Sequence, residues 1–220
     1  MTRPRQFDLI AFDWDGTLFD STALIARCIQ DACADIGTTV PSDAQASYVI
    51  GLGLIDALRH AAPDLARERY PDLAACYRHH YVAQQHDIVL FDGTLAMLRR
   101  LKDNGHKLAV ATGKSRRGLD EALRTVELRD LFDATRTADE TASKPHPRML
   151  LELMDELGVT PQRTLMIGDT THDLELAINA QAASVAVTFG AHPIDAFRAY
   201  PTRHVARSTA DLDDWLARHA

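Results

Sequence analysis

Four short segments hold residue types whose spacing could do chemistry, and the first is Asp13-Trp14-Asp15-Gly16-Thr17-Leu18, at the end of an apolar run. Residues two apart in extended chain point the same way, so the carboxylates of Asp13 and Asp15 can face one site. Gly16 lets the backbone turn sharply and approach a ligand. Paired acids suit two tasks: one serves as nucleophile and metal ligand, the other as a proton donor whose pKa its neighbour raises. A strand that simply closes on an Asp-Gly turn would use the same residues.

The second segment, Ala109-Val110-Ala111-Thr112-Gly113, reads as a buried strand that delivers a hydroxyl to a turn. Beside the free amides of a helix start, Thr112 could donate to a phosphate oxygen; it could equally cap the helix. Thr112-Gly113-Lys114-Ser115 is not a nucleotide-binding P-loop, which needs glycine five places before Gly113, where Leu108 stands. In Ser143-Lys144-Pro145-His146-Pro147, Lys144 precedes a helix expected to start at Pro145, and its ammonium could offset charge on a transferring group or stand free in solvent. The fourth segment, Met166-Ile167-Gly168-Asp169-Thr170-Thr171-His172-Asp173, brings Asp169 to the end of a strand and Asp173 to the first turn of the next helix. Carboxylates of this kind suit Mg²⁺, which keeps water and substrate phosphate among its ligands. A helix cap would also account for Asp173.

The elements that must carry these residues follow from hydrophobic periodicity. Apolar runs at Phe7–Asp13, His106–Thr112, Leu165–Asp169 and Ala183–Thr188, with weaker ones at Asp133–Ala138 and His204–Ala206, alternate with amphipathic stretches. That alternation predicts an α/β fold with a doubly wound parallel sheet. A helix is expected over Pro145–Leu157, closed by Gly158, and another through Leu95, Leu98 and Leu101, ending at Gly105. Residues 19–88 break the pattern and read as three or four helices, an inserted α-helical cap. The core then comprises residues 1–18 and 89–220, with crossings near Leu18–Ser21 and Ile88–Asp92.

Composition bounds the rest. The 220 residues are 46% hydrophobic and 25% charged, an ordinary globular mixture with no run long enough to span a bilayer. A formal charge of −7 argues against a broad nucleic-acid surface. Asp8, Asp13 and Asp15 interrupt what would have to be a signal-peptide core, which points to a cytoplasmic protein. Cys28, Cys33 and Cys76 lack metal-binding spacing and read as reduced core residues. The ten histidines read as surface or cap polar groups, with His172 free to face solvent.

Taken together, the four motifs resemble the haloacid dehalogenase-like superfamily, and more closely its phosphoglycolate-phosphatase-like members with a helical cap. The resemblance covers essentially the whole chain. It implies a Rossmann-like core and a Mg²⁺-dependent phosphatase that acts on a small phosphomonoester. Asp13 would attack phosphorus and Asp15 would protonate the leaving group and then activate water. Thr112, Gly113 and Lys144 would hold the phosphate, and the metal would sit among Asp13, the Asp15 carbonyl and Asp169, with Asp173 in support. Phosphoglycolate is the first expected substrate, followed by other small phosphomonoesters, nucleotides and pyrophosphate. Gly51, Leu52 and Gly53, with Arg59, are expected to reach the substrate from the cap, or else to form an ordinary turn beside a surface arginine.

Neighbouring readings are weaker. Dehalogenases lack the second acid of the first motif. Phosphonate hydrolysis needs a cap lysine, and no lysine precedes Lys102. A β-phosphoglucomutase-like phosphotransferase would carry a histidine where Ile25 stands. A phosphoacceptor signalling module shares the fold class but has little use for Asp15 or a cap. A Rossmann oxidoreductase is weaker still, because Gly51-Leu52-Gly53 continues to Asp56 rather than to glycine. Trp14 replaces a commoner aliphatic residue or phenylalanine in the first motif, a change expected behind the site. The partner is then a small phosphorylated metabolite, with neither nucleic acid nor membrane, and the oligomeric state is open.

Overall fold

The computed structural model describes residues 5–125 and 128–220; the first four residues of the expected core segment lie outside them. Six strands form one parallel sheet: β1 (Leu9–Phe12), β2 (Lys107–Thr112), β3 (Ala134–Thr137), β4 (Thr164–Gly168), β5 (Ala183–Val187) and β6 (Val205–Ala206), in the order β3-β2-β1-β4-β5-β6. Each coincides with an expected strand, usually trimmed at the ends. The chain works outward from β1 in one direction and then restarts at β4 on its other side. A crevice therefore opens between these two strands at their carboxyl ends, the usual ligand position in such a sheet.

Both faces of the sheet are covered, which is why its strands read as unbroken apolar runs. Ile10 and Phe12 face a layer made by α5 (Thr94–Asp103), α6 (Arg116–Thr125) and α9 (Thr209–His219). Leu9 and Ala11 face α7 (Arg148–Leu157) and α8 (Thr171–Asn179). The helix expected from Pro145 begins three residues later, at Arg148. Prolines on both sides of His146 explain the delay, since a residue before proline is pushed out of helical backbone.

Residues between β1 and α5 add no strand to the sheet. Four helices, α1 (Thr22–Asp35), α2 (Asp43–Tyr48), α3 (Leu54–Ala61) and α4 (Tyr70–Gln84), instead bury a separate cluster that includes Ile29, Leu58 and Leu73. The two crossings meet: Phe19 bridges Leu90 in antiparallel sense, Asp20 N–H donates to Val89 at 3.0 Å, and Phe91 N–H donates to Leu18 at 3.0 Å. Among the described residues no helix is long and apolar enough to cross a membrane.

Three histidines depart from expectation: His106, His172 and His192 are buried. Each finds a carbonyl, His106 that of Phe7 and the other two that of Tyr48, which is how a buried imidazole avoids an unpaired ring N–H. Cys28 and Cys33 are buried free thiols, as expected, while Cys76 is partly exposed.

Candidate active site

The crevice gathers the acids. Asp13 follows β1 directly and still donates its N–H to the Ile167 carbonyl at 2.9 Å, so the neighbouring strand fixes its position. Its side chain is fully buried, with Oδ1 accepting from Lys144 Nζ at 2.6 Å. Oδ2 has no hydrogen-bond partner among the described residues, an orphaned buried atom that requires a ligand or a proton. Burial raises the Asp13 carboxyl well above its usual range, against the pull of Lys144.

Asp169, just past β4, accepts from Thr17 Oγ1 at 2.8 Å and from Ala191 N–H at 2.7 Å. Burial, reinforced by Asp173, raises its pKa to about 7. Two glycines make room for this carboxylate. A Cβ built on Gly16 or on Gly190 would stand 2.2 Å from Asp169 Oδ2, and Gly16 also needs its φ of +84°.

Asp173 serves both purposes suggested for it, one per oxygen. Oδ2 accepts from Thr170 in a capping box at the start of α8, and Oδ1 accepts from Lys144 Nζ at 2.7 Å. Lys144 is thus sealed between Asp13 and Asp173, not free in solvent, and despite burial those carboxylates raise its pKa and hold it charged.

Asp15 faces a different part of the crevice. Its Oδ1 accepts from Ser21 Oγ at 2.8 Å and its Oδ2 pairs with Lys114 Nζ at 3.0 Å. Lys114 also donates to the Tyr81 hydroxyl, from α4, at 2.7 Å. Thr112 is buried at the end of β2 and its Oγ1 accepts from the Lys114 N–H at 3.2 Å. Trp14 packs behind the site, stacked on Phe19 at 4.6 Å between ring centroids.

The loop before α3 closes over this crevice. A Cβ on Gly113 would stand 2.4 Å from the Leu52 carbonyl oxygen and 2.6 Å from that of Gly51, so only glycine permits the close approach. Gly53 N–H donates to Ser143 Oγ at 2.8 Å. Just before this loop, at the last residue of α2, the carbonyl of Tyr48 lies within reach of His172 Nε2 at 2.8 Å and His192 Nε2 at 2.9 Å. Since His192 Nδ1 accepts from Thr171 N–H, its proton must be on Nε2. Together these elements enclose a cavity of about 870 Å³ whose walls include Asp13, Asp15, Gly51, Leu52, Gly53, Thr112, Gly113 and Lys114. Arg59 is not among its walls: it is exposed and paired at 3.4 Å with Asp56, which is a wall residue.

Sequence reasoning missed Ser21, Lys114, Tyr81, Ser143 and Gly190. Lys114 lies inside the second motif and was considered only as part of a P-loop; Tyr81 offers no local signal.

A divalent cation fits the acids. Asp13, Asp169 and Asp173 each offer a carboxylate oxygen, all within 4.8 Å of one another, and one Asp13 oxygen is otherwise unpartnered. Among the described residues the four carboxylates of this site pair only with Lys144 and Lys114, an excess of negative charge that a cation would offset. The Asp15 carboxylate stands apart from this group, occupied by Ser21 and Lys114.

Comparison with known proteins agrees with this arrangement. Residues 10–187 match the family described as haloacid dehalogenase-like hydrolase. The chain is 35% identical over 197 residues to a protein of Dickeya dadantii named probable phosphatase IndB, covering 87% of this chain and 85% of that one. It is 34% identical to the phosphoglycolate phosphatase of Aliivibrio fischeri over 191 residues, covering 83% and 84%. A crystal structure of a haloacid dehalogenase-like hydrolase from Bacteroides fragilis superposes with a TM-score of 0.86 at 27% identity, covering 94% of this chain and 99% of the other. The chain belongs to the haloacid dehalogenase-like hydrolase family and is an enzyme of its phosphatase branch.

Proposed function

We propose that this enzyme hydrolyses a small phosphomonoester, with phosphoglycolate as the first candidate, through a phosphate ester formed on Asp13. The observation that carries the reading is the buried, unpartnered Oδ2 of Asp13 beside Lys144 and Asp169. A carboxylate oxygen with no internal partner is available as a nucleophile, and burial keeps competing water away.

In the first step an Asp13 oxygen forms a bond to phosphorus while the bond from phosphorus to the leaving oxygen breaks. Asp15 gives that oxygen its proton. In the second step Asp15 takes a proton from water as the water oxygen attacks phosphorus, the bond to Asp13 breaks, and inorganic phosphate departs. Thr112 and Gly113 receive the phosphate at the end of β2, and Lys144 offsets its charge. Asp13, the Asp15 carbonyl and Asp169 would hold Mg²⁺, with Asp173 in support through Lys144. Bound there, Mg²⁺ supplies Lewis-acid charge that lets a dianionic phosphate enter a pocket of carboxylates.

In this reading residues 1–18 and 89–220 are the catalytic core and residues 19–88 the cap, with Gly51, Leu52 and Gly53 closing on the substrate. The enzyme works in the cytoplasm on a small phosphorylated metabolite. Arg59 stands outside the cavity walls, paired with the wall residue Asp56, and this reading gives it no direct contact with the substrate.

The test is phosphate release from a panel of phosphoglycolate, other small phosphomonoesters, nucleotides and pyrophosphate, with Mg²⁺, with chelator, and with Asp13→Asn. Turnover should require Mg²⁺ and fall at least about 10³-fold in the folded variant, the scale expected when a nucleophile is removed. Near-normal turnover by Asp13→Asn would remove the covalent route. A folded, magnesium-loaded protein that transfers phosphate between sugars, or holds it without release, would be a phosphotransferase or a phosphoacceptor module.

A further inference from the structure

The phosphoryl chemistry proposed above gives Lys114 no role of its own. Its Nζ is 3.0 Å from Asp15 Oδ2 and 2.7 Å from the Tyr81 hydroxyl, and its side chain is 11% exposed, at the cavity wall. An ammonium has three hydrogens, and these contacts use two of them. The third has no partner among the described residues. Tyr81 accepts from Lys114 and keeps its own proton to donate, since burial holds the phenol neutral.

Two free donors, one from the loop after β2 and one from α4, therefore converge beside Asp15. The leaving oxygen of a substrate must lie against Asp15 to receive its proton. A group attached two or three bonds beyond that oxygen then falls next to Lys114 and Tyr81. Resting on the phosphatase reading above, we propose that Lys114 and Tyr81 form a subsite for a second anionic group on the leaving portion of the substrate, a carboxylate or a further phosphate.

The subsite makes a sharp demand on the substrate. A neutral leaving portion offers Lys114 nothing, and the ammonium stays on Asp15, the residue that must serve the leaving oxygen. An anionic one takes up the free hydrogen, competes for the ammonium, and bridges the loop after β2 to α4. Charge-assisted contacts of this kind discriminate strongly, because only an anionic group satisfies the remaining hydrogen of a largely buried ammonium.

The experiment compares 2-phosphoglycolate with ethyl phosphate, nearly the same size without the carboxylate, in wild type, Lys114→Met, Lys114→Arg and Tyr81→Phe, all with Mg²⁺. Wild type should prefer phosphoglycolate in kcat/KM by about 50-fold, the size expected of charge-assisted hydrogen bonds. Lys114→Met should collapse that ratio toward one, chiefly through KM; Lys114→Arg should restore part of it, and Tyr81→Phe should lower it several-fold. An equal loss on both substrates would overturn the proposal and make Lys114 a positioning residue for Asp15. A wild-type ratio near one with both substrates turned over would overturn it while leaving the phosphatase intact. Binding to Asp13→Asn by calorimetry gives the same comparison without turnover: preference for phosphoglycolate lost on adding Lys114→Met supports the subsite, and no preference defeats it even if hydrolysis itself fails.

Discussion

At the scale of single residues, burial favours protons on the acids proposed to hold a cation. Asp169 moves from an ordinary 3.8 to about 7 and Asp13 rises too, chiefly through burial. A carboxyl whose folded pKa lies above its unfolded one binds more protons when folded, so its contribution to stability falls as pH climbs between the two values. For Asp169 that window runs from about 4 to about 7. The metal-free protein should therefore lose melting temperature across this range through these acids. Mg²⁺ competes with protons for the same oxygens, so its stabilisation should be several degrees larger at pH 8 than at pH 5. Scanning calorimetry with Mg²⁺ and with chelator measures both; a Mg²⁺ effect independent of pH would count against Asp13 and Asp169 as its site. Asp13, Asp15, Asp169 and Lys144 were legible because each sits at a strand end or in a short motif whose chemistry is local. Lys114 was not: its meaning depends on Asp15, far earlier in the chain, and on Tyr81 from a helix with weak amphipathic pattern.

At the scale of elements, strands were legible because a two-sided parallel sheet demands apolar runs, and their parallel arrangement followed from the alternation with helices. The boundaries were less so. The proline-flanked His146 delayed α7, and β1 is four residues long because Phe7 and Asp8 lie before its ladder begins. His106 was invisible because its partner, the Phe7 carbonyl, comes from far earlier in the chain, and His172 and His192 because theirs, Tyr48, comes from the helical segment that meets the crevice. That contact is also where a small change should be felt. Gly113→Ala would push the Gly51 and Leu52 carbonyls away, at a cost of about 1–3 kcal/mol typical of overpacking. KM for the preferred substrate should rise about tenfold, with faster proteolysis at Gly51–Gly53, while the sheet stays folded; steady-state kinetics and limited digestion test this. Unchanged KM with unchanged proteolysis would mean the loop does not shape the occupied site.

The whole molecule rests on two apolar bodies, the layers around the sheet and the cluster within α1–α4. Leu58 is fully buried in the latter. Leu58→Ala should cost about 2–5 kcal/mol, the range for such truncations. Hydrogen exchange should report the loss mainly in residues 22–84, with the strands still protected. Equal loss of protection in β1 and β4 would instead show that both bodies unfold as one.

The pairing of Phe19 with Leu90 has an evolutionary consequence. Because the chain leaves the sheet and returns to it at a single point, everything between can be lengthened, shortened or replaced without moving a strand, as an insertion whose ends already meet. Descent can then vary α1–α4 and leave untouched the acids at the strand ends, so that on the proposed reading one ancestral reaction is inherited by many specificities.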